Sequence, residues 1–151
     1  MDRRTSDIDE TVTIETANGK LAGARKDGIL SFKGIPYAAP PIGPLRWRMP
    51  EPAALWPGVR NATVFAPICP QAPTQLESLL GAAIAEQSED CLYLNVLTPA
   101  RNGSVDALRP VMVWIHGGAF IIGSTSEMQY NPLVLTARGD VVIVSINYRY
   151  L

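Results

Sequence analysis

Two short runs, Val111-Met112-Val113-Trp114-Ile115 and Val141-Val142-Ile143-Val144-Ser145-Ile146, are apolar at nearly every position instead of alternating. A strand with one wet face alternates polar and apolar side chains. Unbroken runs therefore predict strands buried on both faces, the pattern of a parallel sheet covered by helices. Between the runs, Asn131-Pro132 opens a short helical stretch to about Arg138, closed by Gly139. Strand, helix, strand is a βαβ unit, right-handed in nearly all cases. The fold class is α/β.

The earlier part of the chain has a different texture. Residues 11–16, Thr-Val-Thr-Ile-Glu-Thr, alternate and are β-branched; Asn18-Gly19 follows, then Lys20 to Arg25. Asn-Gly between two such runs is the strongest short hairpin signal. A third strand is expected over Ile29–Gly34 and another over Cys91–Leu97, where Leu92, Leu94 and Val96 alternate with Tyr93 and Asn95. From Pro36 to Pro73 neither period is sustained, which predicts a long irregular surface loop. Leu76, Leu79, Leu80, Ala83 and Ile84 fall on one helical face, with Thr74 and Glu77 as a capping box, so a helix is expected over 74–86. A small antiparallel hairpin thus leads into the start of an α/β sheet. No repeat or linker divides the 151 residues into two domains.

Composition excludes several functions. Thirteen Lys and Arg against fourteen Asp and Glu leave a net charge of −1, which removes the clustered basic surface a nucleic-acid binder needs. No run of about 18 apolar residues exists, so no membrane-spanning helix is expected. The first ten residues carry Arg3 and Arg4 but no apolar core after them, unlike a signal peptide, and the default expectation is a cytoplasmic protein. Two cysteines, Cys69 and Cys91, permit one bridge, worth roughly 3 kcal/mol if unstrained. A reducing cytosol argues against it, and composition leaves the pairing open. Without a C-x-x-C or a His/Cys cluster, zinc and thioredoxin-type readings fail; no metal and no organic cofactor is implied. There is one histidine, His116, so a catalytic histidine is either that residue or lies outside this chain.

One segment has catalytic shape: His116-Gly117-Gly118-Ala119-Phe120, straight after the apolar run. Small residues at a strand's carboxyl end let the backbone turn with its N–H groups aimed outward, where two of them can hold the oxyanion of an acyl intermediate. A plain glycine turn has the same residues.

The chain resembles the type-B carboxylesterase and cholinesterase family of α/β-hydrolases. The matching blocks are Phe32-Lys33-Gly34-Ile35-Pro36-Tyr37-Ala38 with Pro40-Pro41, Gly43-Pro44-Leu45-Arg46-Trp47, Ser88-Glu89-Asp90-Cys91-Leu92-Tyr93-Leu94-Asn95-Val96, and Trp114 to Phe120 followed by Asn147-Tyr148-Arg149. The resemblance implies the N-terminal portion of an α/β-hydrolase fold, its early hairpin leading into a central, mostly parallel sheet. It assigns two oxyanion donors to the backbone N–H groups of Gly118 and Ala119, with Gly117 supporting the turn. His116 then has a structural role. It also implies a Cys69–Cys91 disulfide, in tension with a cytoplasmic location, and a buried ion pair between Arg46 and Glu89. The family pairs the arginine of Asn-Tyr-Arg with an acid further along, so Arg149 is expected to borrow a local acceptor or face solvent.

The departures from the family matter as much. Its nucleophile lies in Gly-x-Ser-x-Gly, and no such pentapeptide occurs here; Gly123-Ser124-Thr125-Ser126-Glu127 has serine in the wrong place. Residues 1–151 are thus expected to form the first part of a single domain, cut before the nucleophile elbow, with the triad beyond Leu151. In cholinesterases a tryptophan between the paired cysteines faces the choline cation. Residues 70–90 hold no aromatic, which points to small uncharged esters. The resulting expectation is a serine carboxylesterase fragment that is inactive alone. The alternatives are a non-catalytic adhesion module of the same family or a nonfunctional remnant. The residues are silent on oligomeric state.

Overall fold

The computed structural model describes residues 10–72, 85–100, 108–127 and 130–150. The alternating start folds as a hairpin: β1 (Glu10–Thr16) runs antiparallel to β2 (Gly19–Lys26), with Thr16 opposite Gly19. The connecting residues are Ala17 and Asn18, one position earlier than the Asn-Gly signal implies. Trp56 packs on this turn. Its backbone N–H donates to Asn18 O at 3.0 Å and its indole N–H to Lys20 O at 2.9 Å, which lays the ring across Gly19 at the hairpin's end.

β3 (Ile29–Pro36) pairs antiparallel with β2 on one side and with β5 (Tyr93–Pro99) on the other. The β3–β5 register shifts between Phe32 and Ile35. β4 (Val59–Asn61) lies inside the Pro-rich stretch and pairs parallel with β2. That corrects the expectation of an irregular loop there. A three-residue strand has no period of its own to read; tertiary pairing creates it. The helix expected over 74–86 falls almost wholly outside the described residues.

β6 (Val111–Ile115) and β7 (Val142–Ile146) are parallel neighbours joined through α1 (Leu133–Gly139), the βαβ unit the two apolar runs imply. Asn131 Oδ1 accepts the Leu133 N–H at 3.2 Å at the start of α1. The left-handed residue that ends it is Asp140, φ 47°, not Gly139, and Arg109 Nε holds its carboxylate at 2.6 Å. β7 is also antiparallel to β5, so the sheet order is β1-β2-β3-β5-β7-β6. Pairing turns parallel at its last step.

Two cores form. Leu21, Phe32 and Ala62 are buried with Ile14, Leu30, Ile35, Trp56 and Val96 around them. Ala38, Cys69, Cys91 and Leu92 form the other, flanked by Tyr37 and Tyr150. Among the described residues β6 is buried on neither face: Val111 and Ile115 on one are each 62% exposed, and Met112 and Trp114 on the other are 44% and 42% exposed, with Tyr130 against Trp114. Its apolar pattern marks the strand type, but burial needs layers on both sides, and among the described residues only β7 lies beside it. Among those residues no helix is long and apolar enough to cross a membrane.

Candidate active site

The chain leaves β6 at His116, which is 3% exposed. Its ring stacks on Tyr148 with centroids 4.5 Å apart and planes 16° from parallel. Nδ1 lies 2.8 Å from Gly117 O; a carbonyl only accepts, so Nδ1 carries the proton. The His116 carbonyl in turn accepts the Tyr148 hydroxyl at 2.7 Å. A side chain held this way is a packed strand end, the structural role expected for it.

Beyond Gly117 the backbone enters a sharp turn. Gly118 has φ 123°, Ala119 φ 54° and Phe120 φ 62°. A Cβ at position 118 would run into the Ile122 carbonyl oxygen, so the turn requires glycine there. Ala119 and Phe120 have no such excuse, and left-handed backbone costs each about 1–2 kcal/mol. Such strain collects where a backbone direction matters. The Gly118 carbonyl closes the turn by accepting the Ile121 and Ile122 N–H groups at 3.0 and 3.1 Å. Among the described residues, neither the Gly118 nor the Ala119 N–H meets an acceptor. Ala119 and Phe120 are exposed.

The turn's exit is tied down at both polar atoms of Gly123. Its N–H donates to Gln71 Oε1 at 2.7 Å, and its carbonyl accepts Gln71 Nε2 at 3.0 Å. The Tyr150 hydroxyl donates to the same carbonyl. Burial, with Tyr148 and Glu127 nearby, pushes the Tyr150 phenol up to about 12. Two residues on, Thr125 joins a buried polar chain through Asn95 and Asn147. None of Gln71, Thr125 or Tyr150 carries a spacing signal. Asn95 and Asn147 lie inside matching blocks, yet their partners appear only on folding.

Cys69 and Cys91 are disulfide-bonded with Cα atoms 5.1 Å apart, and both are buried. Arg46 Nη2 and Glu89 Oε1 are 2.6 Å apart, but their side chains are 49% and 42% exposed. The pair forms, and the expectation that it is buried does not hold. It lies at the rim of a cavity of about 210 Å³ lined also by Trp47, the disulfide and Arg149, so solvent reaches one side. Arg149 Nη2 donates to Arg48 O at 2.8 Å, the local acceptor expected of it. Among the described residues, no three His, Cys, Asp or Glu side chains gather as a metal site.

Comparison with known proteins bears on the family and the fold. Para-nitrobenzyl esterase of Bacillus subtilis is 47% identical over 139 residues, covering 90% of this chain and 27% of that protein. Neuroligin-2 of Mus musculus is 36% identical over 174 residues, covering 90% of this chain and 21% of its own. A solved structure of a PNB esterase superposes with a TM-score of 0.82 at 46% identity, over 91% of this chain and 28% of that one. The chain thus spans about a quarter of the length of these relatives, and its architecture is that of the N-terminal portion of an α/β-hydrolase. The sequence model of the carboxylesterase family matches residues 9–150, and the chain belongs to that family.

Proposed function

We propose that residues 1–151 form the N-terminal part of a single α/β-hydrolase domain in a serine carboxylesterase. In this reading the chain supplies part of the oxyanion hole, and sequence outside the 151 residues supplies the nucleophile, its base and the orienting acid. The serine oxygen attacks the ester carbon and passes its proton to the base. The former carbonyl oxygen, now negative, accepts from the Gly118 and Ala119 N–H groups, joined by the N–H after the nucleophile. Collapse expels the alcohol, and water then releases the acid from the acyl-enzyme. The substrate class is small, uncharged carboxylic esters, in keeping with the name of the para-nitrobenzyl relative and the absence of an aromatic over residues 70–90.

The observation that carries the reading is the strained turn whose two N–H groups have no acceptor among the described residues. Donors aligned before the reaction need no rearrangement when charge develops. The neuroligin-2 match supports a second reading, a non-catalytic interaction module.

The test separates the two. The complete protein carrying this segment is incubated with a fluorophosphonate probe and with para-nitrophenyl acetate. The esterase reading expects one labelled serine and turnover that the label abolishes. A folded protein that neither labels nor turns over belongs to the second reading.

A further inference from the structure

We infer that Gln71 is a positioning residue for the oxyanion turn, acting through Gly123; this rests on the role just given to Gly118 and Ala119. A carboxamide offers a donor and an acceptor side by side, as the edge of a strand does. Gln71 sets that edge against Gly123, 52 residues away, with both bonds made at 2.7 and 3.0 Å. The orientation of the amide is unambiguous. Nε2 also donates to Cys69 O at 3.1 Å, so a flipped amide would set oxygen against two carbonyls. The Gln71 backbone N–H donates to Gln87 Oε1 at 2.9 Å. Side chain and backbone are both held.

Gly123 is where such a clamp acts on the turn. A Cβ there would lie 2.6 Å from Gly117 O and 2.7 Å from His116 Nδ1, so Gly123 is seated against the turn's entry. The entry is fixed by the His116–Tyr148 stack and the exit by Gln71. Between them Ala119 and Phe120 stay left-handed and exposed. Strained backbone persists only where its surroundings over-determine it, and Gln71 closes the constraint from the far side. The disulfide two residues before Gln71 anchors the clamp in the buried cluster of Ala38, Cys91 and Leu92. Gln71 touches no reacting atom. It aims those that do.

The experiment uses the complete protein with Gln71→Met, which keeps the shape without polar atoms, and Gln71→Glu, which keeps the acceptor but sets a carboxylate oxygen against Gly123 O. With para-nitrophenyl acetate, kcat is expected to fall about tenfold to a hundredfold, the scale of a small misplacement, while KM holds. A trifluoromethyl ketone adds the serine oxygen to its carbonyl carbon, the serine proton passing to the base, and its carbonyl oxygen becomes the oxyanion. Its inhibition constant is expected to rise by the same factor as kcat falls. Amide hydrogen exchange gives a readout independent of activity: protection at Gly123 is lost, and exchange quickens at Ile121 and Ile122, whose N–H groups close the turn on the Gly118 carbonyl. Folded variants with unchanged kcat, unchanged ketone affinity and unchanged exchange overturn the role of Gln71. A wild-type protein without turnover counts against the esterase reading instead, and the exchange data then still decide whether Gln71 holds the turn.

Discussion

The side-chain amides of Asn95 and Asn147 are joined through a single hydroxyl: Asn95 Nδ2 donates to Thr125 Oγ1 at 2.8 Å, and that hydroxyl donates on to Asn147 Oδ1 at 3.0 Å. The Thr125 N–H reaches the same Asn147 oxygen at 2.9 Å, and Asn95 Oδ1 accepts the Gly34 N–H at 3.0 Å. All three side chains lie in residues that are buried. Asn95 is on β5, Asn147 follows β7, and Gly34 lies in the irregular stretch of β3. One chain of bonds therefore pins the loop after β6 to three strands. Buried polar chains specify a structure when every member is satisfied and weaken it when one is not.

Asn95→Ala leaves the buried Gly34 N–H without its acceptor, and Asn147→Ala does the same to the Thr125 N–H. Each is expected to cost about 1–3 kcal/mol, the scale of an unsatisfied buried group. The double variant should cost less than the sum of the two, because both changes break the bonds of the same Thr125. Urea unfolding of the complete protein measures this. Strict additivity would show that Thr125 does not couple them.

The disulfide makes a separate prediction. Cys69→Ser with Cys91→Ser reopens a loop of 22 residues in the unfolded chain, expected to lower stability by about 3 kcal/mol. Thiol alkylation before and after reductant reads the oxidation state directly. Two alkylated cysteines without reductant would mean the bond is not made in solution.

What was legible in the sequence follows a physical line. β6 and β7 were readable because an unbroken apolar run has one structural meaning at that length. Their exposure was not, because pattern describes a strand and says nothing of what covers it. The hairpin was readable from Asn18-Gly19, but its turn lies one residue earlier, with Trp56 packed on it. β4 went unread because its three residues owe their conformation to β2. At the site, Gly117, Gly118 and Ala119 stood out as small residues at a strand end. Gln71, in a Pro-rich loop far from Gly123, offers no period, spacing or composition to notice.

Tyr150 predicts a pH response. Its phenol is raised from 10.0 to about 12, chiefly by burial, so ionisation is disfavoured in the folded protein. Stability from this group is complete below the unfolded value near pH 10 and is lost as pH rises toward 12, where the unfolded chain ionises first. Burial also raises Tyr37 and Tyr93, which adds to the same decline. Unfolding midpoints measured from about pH 9 upward should fall. In Tyr150→Phe the fall should be shallower, on a curve lowered overall by the lost bond to Gly123. Parallel curves would mean Tyr150 titrates normally.

Residues 1–151 expressed alone should show no esterase turnover and should associate. The sequence holds no Gly-x-Ser-x-Gly, and its one histidine is buried against Tyr148 at 3% exposure, so neither a nucleophile in its elbow nor a histidine base open to substrate is present. The Gly118 and Ala119 donors alone do not make an acyl-enzyme. Association follows from β6. Met112, Val113 and Trp114 are 44%, 57% and 42% exposed on a strand at the end of the sheet order, and Leu133, Val134 and Leu135 of α1 are exposed as well. A short, uncharged, β-branched strand with an unpaired edge is a template for another copy. Light scattering against concentration, with a para-nitrophenyl acetate assay beside a buffer blank, tests both statements. Turnover above the blank from a monodisperse sample would mean that these residues contain a complete active site, and the division of labour proposed for the oxyanion turn would be wrong.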